Sequence, residues 1–196
     1  MKKCLEKIKR GVLGQGTYGL LAEGALPPGP FREVYVPGAR GRRFMVTSDT
    51  SSLAKNHCGA TAATNLALVY LEGAQPGPLF LAFHQKIGNG PVIFMERKIQ
   101  AVFRDLGQPL HYQRTRDPKR ILAGLQEGTP AILLLARGLL AWHYVLALGY
   151  RVYPRGEVYL MVHDGWHREA LRFYQLNQGS LLLGASLYKR TPAPRA

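Results

Sequence analysis

Apolar residues fall into two regimes along this chain, one with helical spacing up to about residue 128 and one of short dense runs beyond Pro130. Ala62, Leu66, Val69 and Tyr70 lie at i, i+4, i+7 and i+8 behind Cys58, which predicts a helix that Gly73 stops. A short helix follows over Phe80 to Ile87. Met95, Ile99, Val102, Phe103 and Leu106 then mark one face of a longer helix ending at Gly107. Asp117-Pro118 offers an N-cap and a first-turn proline to a helix carrying Ile121, Leu122 and Leu125, ended by Gly128.

From Pro130 onward the pattern reads as strands: 131–136, 144–153, 158–162, 170–174 and 181–188. Turn signals at Pro154-Arg155-Gly156, Asp164-Gly165 and Asn177-Gln178-Gly179 predict antiparallel pairing of neighbouring runs. Further upstream, Glu33-Val34-Tyr35-Val36 and Phe44-Met45-Val46-Thr47 read as a β-hairpin around Pro37 to Gly41. Residues 1–30, with Pro27-Pro28-Gly29-Pro30, read as an arm before the main domain. Helices followed by strands predict an α+β fold.

The 196 residues, 46% of them hydrophobic, suffice for one domain with a sizeable core. Two cysteines, Cys4 and Cys58, cannot form a disulfide framework, which points to a reducing, cytoplasmic setting. Glu6, Lys7, Lys9 and Arg10 interrupt any signal-peptide core. Arg137 and Gly138 break the longest apolar stretch, so no transmembrane segment is expected. The net charge of +14 suits an anionic partner, such as an acidic peptide or protein substrate. Nucleic acid is a weaker alternative, because Arg40, Arg42, Arg43 and the group Arg114, Arg116, Lys119 and Arg120 accompany no recognition motif.

Against that background Cys58 stands out. The run Asn56-His57-Cys58-Gly59-Ala60-Thr61 sets a thiol at the start of a helix, where unpaired N–H groups and the helix dipole favour thiolate. A nearby imidazolium can bring such a pKa to roughly 3.5–7.5. A cysteine nucleophile also needs a base and a group that orients the base. His143 begins one strand-like run and Asp164 follows the next, so a hairpin would make them neighbours, with Asp164 orienting His143. Trp142 and Trp166 flank the two and would shield them from water.

Cys58-Gly-x-Thr-Ala opening a helix, Trp142-His-Tyr-Val leading to Gly149-Tyr150, and Asp164-Gly-Trp together resemble the papain-like cysteine peptidases of the bacteriocin-processing, double-glycine leader type and their free-standing relatives. The likeness spans roughly residues 50–175. It implies a papain-like domain over 31–196, with the nucleophile helix in an N-terminal helical half packed on a C-terminal antiparallel sheet. It also implies Cys58 as nucleophile, His143 as general base and acid, and Asp164 as the orienting carboxylate, with no cofactor and no metal.

Two positions depart from that family. Ala60 stands where a proline is usual, and both suit a first helical turn. Leu53 and Ser52 stand where a glutamine normally donates to the oxyanion, which leaves Asn56 or Ser52 as side-chain candidates beside the Cys58 N–H. The sequence therefore predicts a thiol hydrolase acting on a peptide amide. Alternatives are an acyl or amine transferase on the same triad, or a catalytically weak module that binds peptide or nucleic acid through its basic surface.

Two other motifs carry less. Gly14-Gln15-Gly16-Thr17-Tyr18-Gly19 matches G-x-G-x-x-G without the kinase or dinucleotide-fold context. His163 and His167 lack a C-x-x-C or H-E-x-x-H companion, so no metal site is predicted there.

Overall fold

The computed structural model describes residues 18–50, 52, 56–92, 94–136, 141–168, 171–176 and 182–191. Helices α1 (Cys58–Tyr70), α2 (Pro76–Ile87), α3 (Met95–Asp105) and α4 (Pro118–Gln126) are combined with strands β1 (Leu20–Leu21), β2 (Arg32–Tyr35), β3 (Leu110–Thr115), β4 (Ala131–Ala136), β5 (Trp142–Val152), β6 (Val158–His163), β7 (Arg172–Gln175) and β8 (Leu182–Arg190). The eight strands form one sheet in the order β1-β7-β6-β5-β4-β8-β3, with β2 also on β5. Every pairing is antiparallel.

Strand β5 organises this sheet. Residues 142–147 pair with β4 and residues 149–152 with β2, while β6 takes 146–152. The register shift between Ala147 and Gly149 lets β2 come in close. A Cβ on Gly149 would lie 2.2 Å from the Val34 carbonyl oxygen, so only glycine fits.

Helix α1 is buried almost all round. Its residues from Gly59 to Val69 are all buried, which suits a central helix rather than a surface one. At its start a Cβ on Gly59 would stand 3.1 Å from Met95 Sδ and 3.5 Å from both Ile87 and Tyr144. The first turn is thereby held among α2, α3 and β5. Leu66, Phe80, Phe83, Ile99, Phe103, Ile121, Leu125, Leu133, Leu146 and Tyr188 belong to one core that joins helices and sheet. Asp117 caps α4 by accepting from the Lys119 N–H at 2.9 Å.

One expected hairpin is absent. Val34 to Tyr35 pair with β5, and residues 44–46 form no strand. Their backbone is claimed instead by Asn65 of α1, whose Oδ1 accepts from Met45 N at 2.8 Å and whose Nδ2 donates to Met45 O at 2.9 Å. Strand β8 likewise does not pair with β7 but crosses to lie between β4 and β3. Of the stretch read as an arm, residues 18–30 are described: Leu20 and Leu21 pair with β7, and Glu23 binds Arg151 at 2.7 Å. Cys4, most of the glycine motif at 14–19 and the Asn177-Gln178-Gly179 turn lie outside the described residues.

Candidate active site

Cys58 is the first residue of α1, and the local sequence leaves this helix start open. Asn56 takes a left-handed backbone (φ 55°), His57 precedes the helix at φ −104°, and no side chain caps it. The first turn therefore keeps unsatisfied N–H groups beside the sulfur. His57 turns inward instead of capping. Its Nε2–H donates to the Thr47 carbonyl at 3.1 Å with the Thr50 hydroxyl at 3.0 Å, and its ring packs edge-on against Phe80.

Strand β5 brings the second group. The backbone N–H groups of Tyr144, Gly59 and Cys58 favour the thiolate of Cys58, so the residue next to His143 already acts on the thiol. Cys58 and His143 both line one cleft of about 320 Å³, together with Tyr18, Asn56, Gly90 and Trp166. His143 is held from two sides. Its ring stacks on Trp166 at 3.8 Å between centroids and 10° between planes, and Tyr18 tilts against it at 5.2 Å.

Asp164 meets His143 through its main chain. The His143 Nε2–H donates to the Asp164 backbone carbonyl at 2.8 Å. A carbonyl only accepts, so the neutral ring must carry its proton on Nε2 and keep a lone pair on Nδ1. The carboxylate is engaged elsewhere: Oδ1 accepts from the N–H groups of Trp166 and His167 at 2.9 Å each, and Oδ2 accepts from His167 Nδ1 at 2.7 Å. Arg172 Nε stands 3.9 Å away. The expected carboxylate-to-imidazole contact is thus replaced by a backbone one, with the carboxylate shaping the turn that presents the carbonyl.

The protonation states differ from the sequence expectation as well. Burial pushes the Cys58 thiol up, against the pull of the three backbone N–H groups. Burial pushes His143 down to about 4, against the Asp164 carbonyl and charge. Desolvation thus works against the helix field and favours the uncharged forms, a thiol on Cys58 and a neutral imidazole on His143.

The oxyanion candidates separate. Asn56 lines the cleft, whereas Ser52 is exposed and is not among the residues around it. Leu53 lies outside the described residues. Tyr18 belongs to the cleft although the glycine motif that contains it pointed to no such role, and His167, weighed in the sequence only as a metal ligand, enters because a tight turn folds it back on Asp164. No group of three or more acidic, histidine or cysteine side chains is arranged to hold a metal among the described residues. No helix among them is long and apolar enough to cross a membrane.

No protein-family model matches the chain, and no curated protein sequence matches it. Its fold is similar to the solved structure of the peptidase domain of Streptococcus ComA, a bifunctional ABC transporter involved in a quorum-sensing pathway. The match has a TM-score of 0.53 at 13% identity and covers 77% of this chain and 98% of that one. The chain thus has a mixed helix and antiparallel-sheet architecture of the kind found in a peptidase domain.

Proposed function

We propose that this chain is a cysteine peptidase that cleaves a peptide amide through a thioester on Cys58. The observation that carries the reading is the shared cleft: the thiol at the open start of α1 and the imidazole at the start of β5 line it together, with the lone pair of that imidazole on Nδ1. The peptidase-type architecture supports it.

In the first half-reaction the Cys58 proton passes to His143 Nδ1 as the sulfur bonds to the substrate carbonyl carbon. The carbonyl oxygen becomes an oxyanion that accepts from the Cys58 N–H and, on this reading, from the Asn56 side chain. His143 then returns the proton to the departing amine as the C–N bond breaks. Water attacks the thioester in the second half, giving one proton to His143, and the C–S bond breaks to release a carboxylic acid and restore the thiol. Asp164 acts as a positioning residue: its carbonyl holds Nε2 and its charge favours the transient imidazolium.

The uncharged forms suit this order of events. Proton transfer is coupled to substrate binding, which excludes the remaining water and supplies the developing oxyanion. The basic surface favours acidic segments in the substrate, given the net charge of +14.

Digestion of a defined peptide pool, read by mass spectrometry, tests the proposal. Wild type should generate new termini that end in a free carboxyl, and Cys58→Ala should generate none. Products capped by an added amine instead would assign acyl transfer. An unchanged pool with both proteins would remove the enzymatic reading.

A further inference from the structure

Cys58 and the turn that carries Asp164 lie far apart in the sequence, and one short segment, the 3₁₀ turn Thr47–Thr50, is bonded to both. On the thiol side stands His57, the residue immediately before Cys58. Its ring is buried, its Nε2–H donates to the Thr47 carbonyl at 3.1 Å, and the Thr50 hydroxyl oxygen stands 3.0 Å from the same nitrogen. On the base side the Thr47 N–H donates to the Gly165 carbonyl at 2.7 Å, and Asp49 pairs with Arg168. Thr47 therefore turns its carbonyl to the neighbour of the nucleophile and its N–H to the neighbour of Asp164.

The turn at 164–166 decides where the imidazole points. Pairing of β5 with β4 fixes the backbone of His143 but not the angle of its ring. Two contacts fix that angle, the Asp164 carbonyl at 2.8 Å from Nε2 and the Trp166 ring stacked at 3.8 Å, and both come from this turn. A histidine before α1 is also unusual on local grounds, since that place favours a side chain that caps the helix and His57 caps nothing. Its buried ring is directed to Thr47 and Thr50 instead. Asn65 makes a second link from α1, to Met45 and His163, yet neither end of that link is Cys58 or the Asp164 carbonyl.

We propose that His57 is a positioning residue: through the Thr47 main chain it anchors the turn that presents the Asp164 carbonyl and Trp166, and so sets the His143 ring relative to Cys58. The proposal rests on the reading of Cys58 and His143 as the reacting pair. His57 is covalently joined to the nucleophile, so one anchor places both reactants, and a misplacement of about 1 Å between reacting groups can cost about 10²-fold in rate.

The test compares three full-length variants: His57→Leu, which fills the space without a donor; His57→Asn, whose amide is too short to reach the Thr47 carbonyl; and His57→Gln, whose amide nitrogen replaces Nε2 at a similar reach. Each is labelled with 15N-histidine for NMR and, separately, treated with a peptidyl acyloxymethyl ketone. In His57→Leu and His57→Asn the His143 Nε2–H should exchange with water at least about tenfold faster than in wild type. Cys58 should label about 10–100-fold more slowly in both. His57→Gln should recover most of both losses, and Ile121→Val, which loosens the core at α4 away from the cleft, should show neither. Circular dichroism checks the fold of each, and His57→Asn carries the comparison if His57→Leu does not fold. An unchanged His143 signal in the variants without the donor, or equal losses in His57→Gln and His57→Leu, overturns the proposal. Failure of wild type to label at Cys58 would instead remove the peptidase reading, while the His143 signal, which needs no turnover, still decides whether His57 sets the ring.

Discussion

His143 takes its orientation from the Asp164 main chain, with Nε2–H donating to the carbonyl at 2.8 Å, while the Asp164 carboxylate caps the following turn through the Trp166 and His167 N–H groups. A side chain that normally steers the base is here a device for shaping the loop that does.

Asp164→Asn should therefore be mild for a triad position. Where a carboxylate directly fixes a catalytic imidazole, the amide costs about 10⁴-fold in kcat. Here the carbonyl remains, and the amide oxygen can still accept from both turn N–H groups, so a loss within about tenfold is expected. Steady-state kinetics on a cleaved peptide checks this, and a loss near 10⁴-fold would mean that the carboxylate reaches the ring during turnover.

Trp166→Ala should raise the His143 pKa. Trp166 lies flat on the imidazole, and burial is the main force holding that group near 4. Removing the indole admits water to the charged form, moving the pKa toward the ordinary 6.5. The stacking itself is worth about 0.5–1.5 kcal/mol, so the fold should survive. NMR titration of the His143 ring measures the shift.

Acid should destabilise the fold through two buried histidines. His143 and His163 both titrate near 4 when folded against 6.5 when free, so the unfolded chain binds more protons between those values. Their contribution is present above about pH 6.5 and is lost as pH falls toward 4, at most about 3 kcal/mol each. Urea unfolding at intervals from pH 7.5 to 4 should trace the decline; a flat profile would contradict it.

Gly149→Ala should loosen β2. The new methyl would meet the Val34 carbonyl at 2.2 Å, and backbone cannot yield as a flexible side chain does. A loss of about 1–3 kcal/mol is expected, read as a lower midpoint in thermal unfolding. Gly124→Ala offers a comparison at a slightly longer contact, 2.5 Å, with the movable Leu187 side chain, and should cost less.

How far the sequence carried depended on whether the decisive force was local. Helix α3 was legible because Met95, Ile99, Val102 and Phe103 face the core while its other residues do not. The run Ala131–Ala136 was legible because it is dense, short and bounded by a proline. Strand β3 was missed, since its edge position buries only Leu110 and leaves a polar sequence behind. The hairpin at 33–47 failed because alternation marks a strand without naming its partner, and residues 44–46 were captured by Asn65 instead. In the candidate site, spacing marked Cys58, His143 and Asp164 as a group. It could not distinguish a carbonyl from a carboxylate of the same residue, nor foresee that burial would work against the helix field on the thiol.

The most direct test of the account is covalent labelling of the intact protein by a peptidyl acyloxymethyl ketone, with the modified residue mapped by mass spectrometry and the rate compared in His143→Ala. The account predicts a single adduct on Cys58, not on Cys4, formed at least a hundredfold more slowly without the imidazole. Equal rates in the two proteins, or labelling spread over both cysteines, would contradict it.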